Sequence, residues 1–517
     1  MSLQFEFPVT LTTEKFITRL SHHTDAQLIS HQHALKSYYD SFDWRLYSKG
    51  IVCEHTHSKA ASSLSLRNLE NTPIIADWEL KQAPVFARQF NPGKLRDILT
   101  PILEMRALLK ICSLDYGLYQ VNITNKDEKT VLRLFIEDYE LFNNRVSLQP
   151  IKGYDKAADH IITLLTGKLA LSPINEPILM AALKQQNRKP QDYSSKLAIN
   201  LAPDLRADIA GKYIYSHLLK AIKDNEQGTI ADTDSEFLHD FRVAVRRTRT
   251  GLGQLKGVLP EDVTTHYADF FSWLGQITTP TRDLDVYLLH FDSYKESLPA
   301  PLRQDLDPFY GFLITKQRKT QQELAKKLRS AKYLSTLLEW EHYLKSHAPK
   351  FPAEANAQLT IKQLADTRIW KIYNRVLKEG KAITPQSEAE TLHELRKTCK
   401  KLRYLMEFFQ SLYPQHEIKA LIDHLKKLQD ILGSFQDYQI QENHLKLFSE
   451  EMLAQKIPAP TFLAMGVVIQ NIDAHKNQVR NRFGSAFADF SKAQNQASFK
   501  ALFAGKTAQN GQPKHLC

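Results

Sequence analysis

Cysteine is scarce in this chain: Cys53, Cys112, Cys399 and Cys517 are the only four in 517 residues, and no two form a CxxC pair. That spacing excludes a zinc ribbon, a CxxC redox motif and a disulfide framework, leaving buried or incidental thiols in a reducing compartment. Long apolar runs are also missing. FLAMGVVI at 462–469 is far shorter than the roughly 20 residues a membrane-spanning helix needs. Residues 1–20 contain Glu6, Glu14, Lys15 and Arg19 and no long apolar core, so no secretory signal is expected and the expected location is the cytoplasm. His22, His23, His31 and His33 lie close in sequence, but no Cys or acidic set completes a ligand group. They read as surface histidines, and neither a metal nor another cofactor is expected.

What is present is an excess of positive charge, +11 overall. Residues 1–200 hold 24 basic and 21 acidic side chains, and residues 201–517 hold 44 and 36, so the surplus leans toward the second part. The apolar and charged fractions, 43% and 24%, are those of a globular protein, and the length calls for two to four domains.

The basic residues recur in register. HDFRVAVRRTR at 239–249 returns 154 residues later as HELRKTCKKLR at 393–403. The offset pairs His239 with His393, Arg242 with Arg396, Arg246 with Lys400, Arg247 with Lys401 and Arg249 with Arg403. It also pairs Pro260 with Pro414 and Asp283 with Asp437. Two copies of one unit follow.

At about 100° per residue, His239, Arg242, Arg246 and Arg249 share one helical stripe, with Arg247 beside it. Leu238, Phe241, Val245, Leu252 and Leu255 make an apolar stripe next to it. Copy two repeats both, with His393, Arg396, Lys400 and Arg403 flanked by Lys397 and Lys401, over Leu392, Leu395, Leu402 and Phe409. Each helix is therefore expected to bury one side and present a cationic ladder about 15 Å long. Arginine forks suit phosphate oxygens and lysines act as point charges. Tyr404 is the one aromatic close to a ladder, too few for stacking single-stranded bases.

The repeated His-x-x-Arg-x-x-x-Arg-Arg-x-Arg resembles the CHAD family, the conserved histidine α-helical domain. So does TRDLDV at 281–286, where that family carries Arg-Asp-x-Asp-Val. The resemblance covers about residues 205–495. Copy two departs toward lysine, and its second signature reads FQDYQI at 435–440, with Gln436 in the arginine's place. The resemblance implies helical bundles related by a pseudo-two-fold and a basic groove between them that binds inorganic polyphosphate without catalysis. The residues on that groove are then His239, Arg242, Arg246, Arg247, Arg249, His393, Arg396, Lys397, Lys400, Lys401, Arg403 and Tyr404. Polyphosphate granules become a candidate location, polyphosphate-metabolising proteins become candidate partners, and nucleic acid is the disfavoured use of the same helices.

Ahead of the repeat, period-two segments at 63–69, 119–124 and 130–141 read as strands, the last two joined by a turn at 125–128. Arg133, Phe135 and Glu137 share a polar face suited to a barrel interior, although the alternation reads as imperfect. YYDSFDWRLYSKGI at 38–51 resembles a stretch of CYTH proteins, the triphosphate-tunnel metalloenzymes. Their Glu-x-Glu-x-Lys strand corresponds here to Gln4, Phe5, Glu6, Phe7 and Pro8, with one carboxylate left and proline in the lysine's place. Lys59, Arg67 and Arg133 remain as candidate tunnel cations. The expectation is a degenerate CYTH-like α+β domain, an antiparallel barrel, over 1–190, without triphosphatase activity. All-α duplicated bundles follow at 205–347 and 358–495, then a flexible tail at 496–517. A metal-dependent triphosphatase in the N-terminal domain is the alternative reading.

Overall fold

A computed structural model describes residues 3–59, 61–69, 75–80, 83–174 and 176–504. The chain divides into two compact units, 1–195 and 196–517.

The first unit is a nine-stranded antiparallel sheet with helices. In chain order come β1 (Leu3–Glu6), α1 (Thr13–Ser21), β2 (Asp25–Asp40), α2 (Arg45–Ser48), β3 (Ile51–Ser58), β4 (Ser62–Asn68) and β5 (Ala76–Glu79). Then follow α3 (Lys94–Leu103), β6 (Leu109–Thr124), β7 (Thr130–Asp138), β8 (Arg145–Pro150), α4 (Asp155–Gly167), β9 (Ser172–Pro173) and α5 (Ile178–Gln185). The sheet order is β5-β4-β3-β2-β6-β7-β8-β1-β9. Among the described residues β5 and β9 do not pair, so the expected barrel is an antiparallel sheet unclosed by hydrogen bonds. Alternation on β7 is regular: Leu132, Leu134 and Ile136 are all buried on one face, with Phe16 and Leu20 of α1 and Ile161 and Leu165 of α4. On the other face Ala34, Tyr38, Leu114 and Tyr116 pack with Ile178, Leu179 and Leu183 of α5.

The YYDSFDWRLYSKGI stretch is a buried turn. Asp40 accepts from the backbone N–H groups of Ser41 (2.7 Å), Leu46 (2.9 Å) and Tyr47 (2.9 Å), which fixes α2. Burial lifts the Asp40 carboxyl to about 6 against those three donors.

The second unit is all helix: α6 (Ala207–Ala231), α7 (Ser235–Gln254), α8 (Glu261–Glu296), α9 (Asp307–Leu328) and α10 (Ala331–Lys345) from copy one. Copy two supplies α11 (Ile361–Lys381), α12 (Ala389–Phe409), α13 (Gln415–Leu453), α14 (Ala459–Asn481), α15 (Phe483–Phe490) and α16 (Ala493–Phe503). The apolar cores do not divide by copy. One takes α6, α7, α10, α11, α12, α15, α16, the first halves of α8 and α13 and the end of α9. The other joins the second halves of α8 and α13 to the first half of α9 and to α14. Helices as long as α8, about 54 Å at the usual rise, reach from one core to the other.

TRDLDV lies inside α8, which continues past Pro280. One expectation changes. Residues 496–503, assigned to a flexible tail, belong to α16, because Phe499 and Phe503, one turn apart, are buried against Tyr373 and Tyr413. Residues 505–517 lie outside the described residues.

Candidate functional site

Two helices carry the repeated cations, and their apolar stripes set how far each is rolled. Leu238, Phe241, Val245, Leu252 and Leu255 of α7 are buried, as are Leu392, Leu395, Leu402 and Phe409 of α12. Asp234 caps α7 by accepting from Glu236 N–H (2.9 Å) and Phe237 N–H (3.2 Å). With these stripes inward, the ladders lie at the rim of the core. Arg249 and Lys397 are exposed, and the other cations are half-buried.

Each ladder begins with a histidine tied to its neighbouring helix. Arg282 Nη2 donates to His239 Nδ1 at 3.0 Å, and His393 Nδ1 lies 2.9 Å from Gln436 Oε1, which only accepts. The spacing, 43 residues, is the same in both copies, so the altered signature at Gln436 and the donor direction at His393 changed together. Both Nδ1 atoms serve packing between helices. Next, Arg242 Nη1 donates to Gly275 O (3.2 Å), Thr278 Oγ1 (2.7 Å) and Thr279 Oγ1 (3.0 Å), all neutral groups of α8. Its counterpart Arg396 meets Asp437 at 3.3 Å, and its Nε has no hydrogen-bond partner. Lys397 pairs with Glu394 on its own helix, on the outer side.

The ladders meet across a seam. Arg246 and Lys400, equivalent under the 154-residue offset, are close enough to repel. Asp283 and Asp437, also equivalent, repel likewise. Two self-matched pairs place a pseudo-two-fold axis through the seam. Burial, then Arg246 and Arg396, brings Lys400 down to about 7. Burial, then Arg246, brings Arg242 down to about 10, and burial lowers Arg396 too. Burial raises Asp283. Among the described residues Arg246, Arg249, Lys400 and Lys401 form no ion pair. This is a cationic cluster short of anions.

The copies differ at the seam's ends. On the copy-one side an open pocket of about 210 Å³ is lined by Arg242, Arg246 and Arg249 with Ser272, Gly275 and Thr279. On the copy-two side Gln429 stands at the position of Gly275, accepting from Arg403 Nη1 (3.0 Å) and donating to Cys399 O (2.6 Å). Glu407 receives Arg403 Nε (2.8 Å) on Oε1 and Arg247 Nη2 (2.8 Å) on Oε2. Tyr404 corrects the sequence reading. It is 4% exposed, a core residue whose ring centroid lies 5.9 Å from both the Arg247 and the Arg403 guanidinium carbons. At that depth it backs the arginines and faces no ligand.

The sheet unit carries a different charge arrangement. The strand registers put Arg67, Glu54, Lys36, Glu137, Arg145 and Glu6 on one face of β4, β3, β2, β7, β8 and β1. Signs alternate along that row. Arg67 is 3.8 Å from Glu54, Lys36 4.0 Å from Glu54 and 2.5 Å from Glu137, and Arg145 3.2 Å from Glu6. Burial opposes the charge on Lys36, but Glu137 and Glu54 outweigh it and raise the ammonium well above its usual range. Glu137 is lowered, burial being outweighed by Lys36. Glu6 also accepts from Asn143 Nδ2 at 2.7 Å. Lys59 is exposed on the strand end, and Arg133 is half-buried. No group of three or more His, Cys, Asp or Glu suited to a metal occurs among the described residues.

The family model of the CHAD domain matches residues 214–446. That stretch is a CHAD domain. Its span includes both ladders and both aspartate positions on the axis. Among solved structures, the CHAD domain from the plant Ricinus communis is 22% identical, with a TM-score of 0.48 over 57% of this chain and 96% of its own. PptA from Streptomyces chartreusis is 15% identical, with a TM-score of 0.43 over 55% and 99%. The N-terminal region has CYTH-like neighbours. One is a putative adenylyl cyclase from Hippeastrum described as having dominant triphosphatase activity, 10% identical, TM-score 0.27, over 38% of this chain and 100% of its own. No curated protein matches. No helix among the described residues is long and apolar enough to cross a membrane.

Sequence reasoning missed three residues here. Glu407 lies four residues beyond the repeated basic motif of the CHAD domain, on the same stripe, and its gapless counterpart is Gly253. Gln429 was visible only as the unlike partner of Gly275. Lys36 stands two residues before Tyr38 on one strand face, just ahead of the stretch read for its tyrosines.

Proposed function

We propose that the CHAD domain binds inorganic polyphosphate, without catalysis, along the seam between α7 and α12. One observation carries this reading: Arg242, Arg246, Arg396 and Lys400 converge half-buried on the pseudo-axis, where Asp283, Asp285 and Asp437 offset them only in part, and burial with this crowding brings Lys400 down to about 7. Assembling unpaired, partly desolvated cations costs stability, and a linear polyanion relieves it by supplying one charge per phosphate. The resemblance to CHAD proteins names the same ligand. Association with polyphosphate granules and with polyphosphate-metabolising proteins follows as the cellular use of that binding. Tyr404, the one aromatic close to a ladder in the sequence, is buried and offers bases no platform, which favours polyphosphate over nucleic acid.

The test is direct binding of polyphosphate to the full chain. Arg246→Glu with Lys400→Glu should weaken it more than about tenfold, roughly 1.4 kcal/mol. Unchanged affinity in a folded variant overturns the reading, and equal competition by duplex DNA per phosphate turns it toward nucleic acid.

For the sheet unit we propose no triphosphatase activity. Its interior row pairs every cation with a carboxylate, and Glu6 is held by Arg145 and Asn143. Phosphate release from triphosphate with Mg²⁺ or Mn²⁺ should stay at background. Turnover that disappears in Glu6→Ala overturns this.

A further inference from the structure

The repeat is nearly symmetric in its cations, yet it is asymmetric in what neutralises them. In copy two, Glu407 places one oxygen on Arg403 and the other on Arg247, the way two oxygens of one phosphate would bridge a pair of guanidiniums. Its side chain is 17% exposed, and those of Arg247 and Arg403 are 11% and 30%. Gln429 takes a further N–H of Arg403. Both counterparts in copy one are glycine, Gly253 for Glu407 and Gly275 for Gln429. A Cβ on Gly253 would meet nothing within 4 Å, so nothing steric excludes a side chain there. The pocket beside Gly275 is open, and Arg249, the counterpart of Arg403, is exposed and forms no ion pair.

We propose that Glu407 is a resident anion that closes the copy-two end of the seam, so that a bound phosphate chain lies on Arg249, Arg246, Arg242, Lys400 and Lys401 and stops short of Arg403. This rests on the polyphosphate reading of the same seam. It adds a direction to the site: one open end, in the pocket between α7 and α8, and one end already occupied by the protein's own carboxylate. Glu407 thereby limits how many phosphates one CHAD domain covers. Removing its charge lengthens the track by two arginines. Adding a carboxylate at the equivalent position in copy one shortens it, because the pseudo-two-fold puts residue 253 opposite Lys401 as it puts Glu407 opposite Arg247.

The experiment measures polyphosphate affinity against salt for the full chain and two variants. Each neutralised phosphate steepens the log–log slope by roughly one. Glu407→Gln should bind at least about tenfold more tightly, with a slope steeper by about one to two. Gly253→Glu should bind at least about tenfold more weakly, with a shallower slope. If Glu407→Gln binds no better, or worse, with its slope unchanged, while Arg246→Glu with Lys400→Glu still weakens binding more than about tenfold, Glu407 is a structural staple and the inference is overturned with the polyphosphate reading intact. If Gly253→Glu leaves affinity and slope unchanged, the one-ended track is overturned. If the wild-type chain does not bind polyphosphate at all, the underlying reading fails first.

Discussion

Lys400 concentrates the electrostatics of the seam at one residue. Burial and three arginines, Arg246, Arg396 and Arg403, hold its ammonium near 7, against 10.5 ordinarily. In that window the unfolded chain binds the proton that the folded chain releases, so the ligand-free domain gains stability as pH rises from about 7 toward 10. An anion in the seam pulls the proton back on. Polyphosphate affinity should therefore fall between pH 6 and pH 8.5 by up to about tenfold per unit above 7, and Lys400→Arg, always charged, should flatten the dependence. Calorimetry in two buffers of different ionisation enthalpy checks this through proton uptake. At the same scale, Lys36→Met in the sheet unit should cost about 3–5 kcal/mol in urea unfolding, because Glu137 loses its buried ion-pair partner and Glu54 keeps Arg67 alone. Arg242, Arg246 and Lys400 were legible in the sequence because a gapless offset matched them. Glu407 was not, because its role depends on Arg247, 160 residues away on another helix.

Among the elements, the basic helices were the most readable, since apolar and cationic stripes at helical period fix both the helix and its roll. Elsewhere a local signal conflicts with packing. Pro280 suggests a break before TRDLDV, yet α8 continues past it: proline removes a single backbone donor, while Leu284, Tyr287 and Phe291 beyond it fill the second core. The last helix was missed because its segment is rich in glutamine and asparagine, and only the Phe499 and Phe503 spacing betrays a buried side. Close helix approaches also set limits on sequence. A Cβ on Gly380 of α11 would collide with the Phe487 ring of α15. Gly380→Ala should therefore destabilise by about 1–3 kcal/mol, despite alanine's better helix propensity, and a lowered Tm would show it.

For the whole molecule, charge is divided between the units in opposite ways. The sheet unit matches its interior charges sign for sign, and the helical unit leaves a surplus at its seam. Residues 196–504 produced alone should bind polyphosphate with the affinity and salt slope of the full chain, and a shallower slope in the fragment would assign part of the phosphate binding to the sheet unit. The α+β-then-α organisation was legible from the switch of apolar period from two to 3.6. The cores were not, because a repeat in sequence suggests one core per copy. The larger apolar cluster instead draws on α6 and α7 together with α11 and α12. Neither half of the duplication can thus satisfy itself. A protease nick anywhere in residues 348–357 would leave two fragments that remain clasped and co-purify, whereas either fragment made singly would expose half an interior and seek a second molecule to cover it.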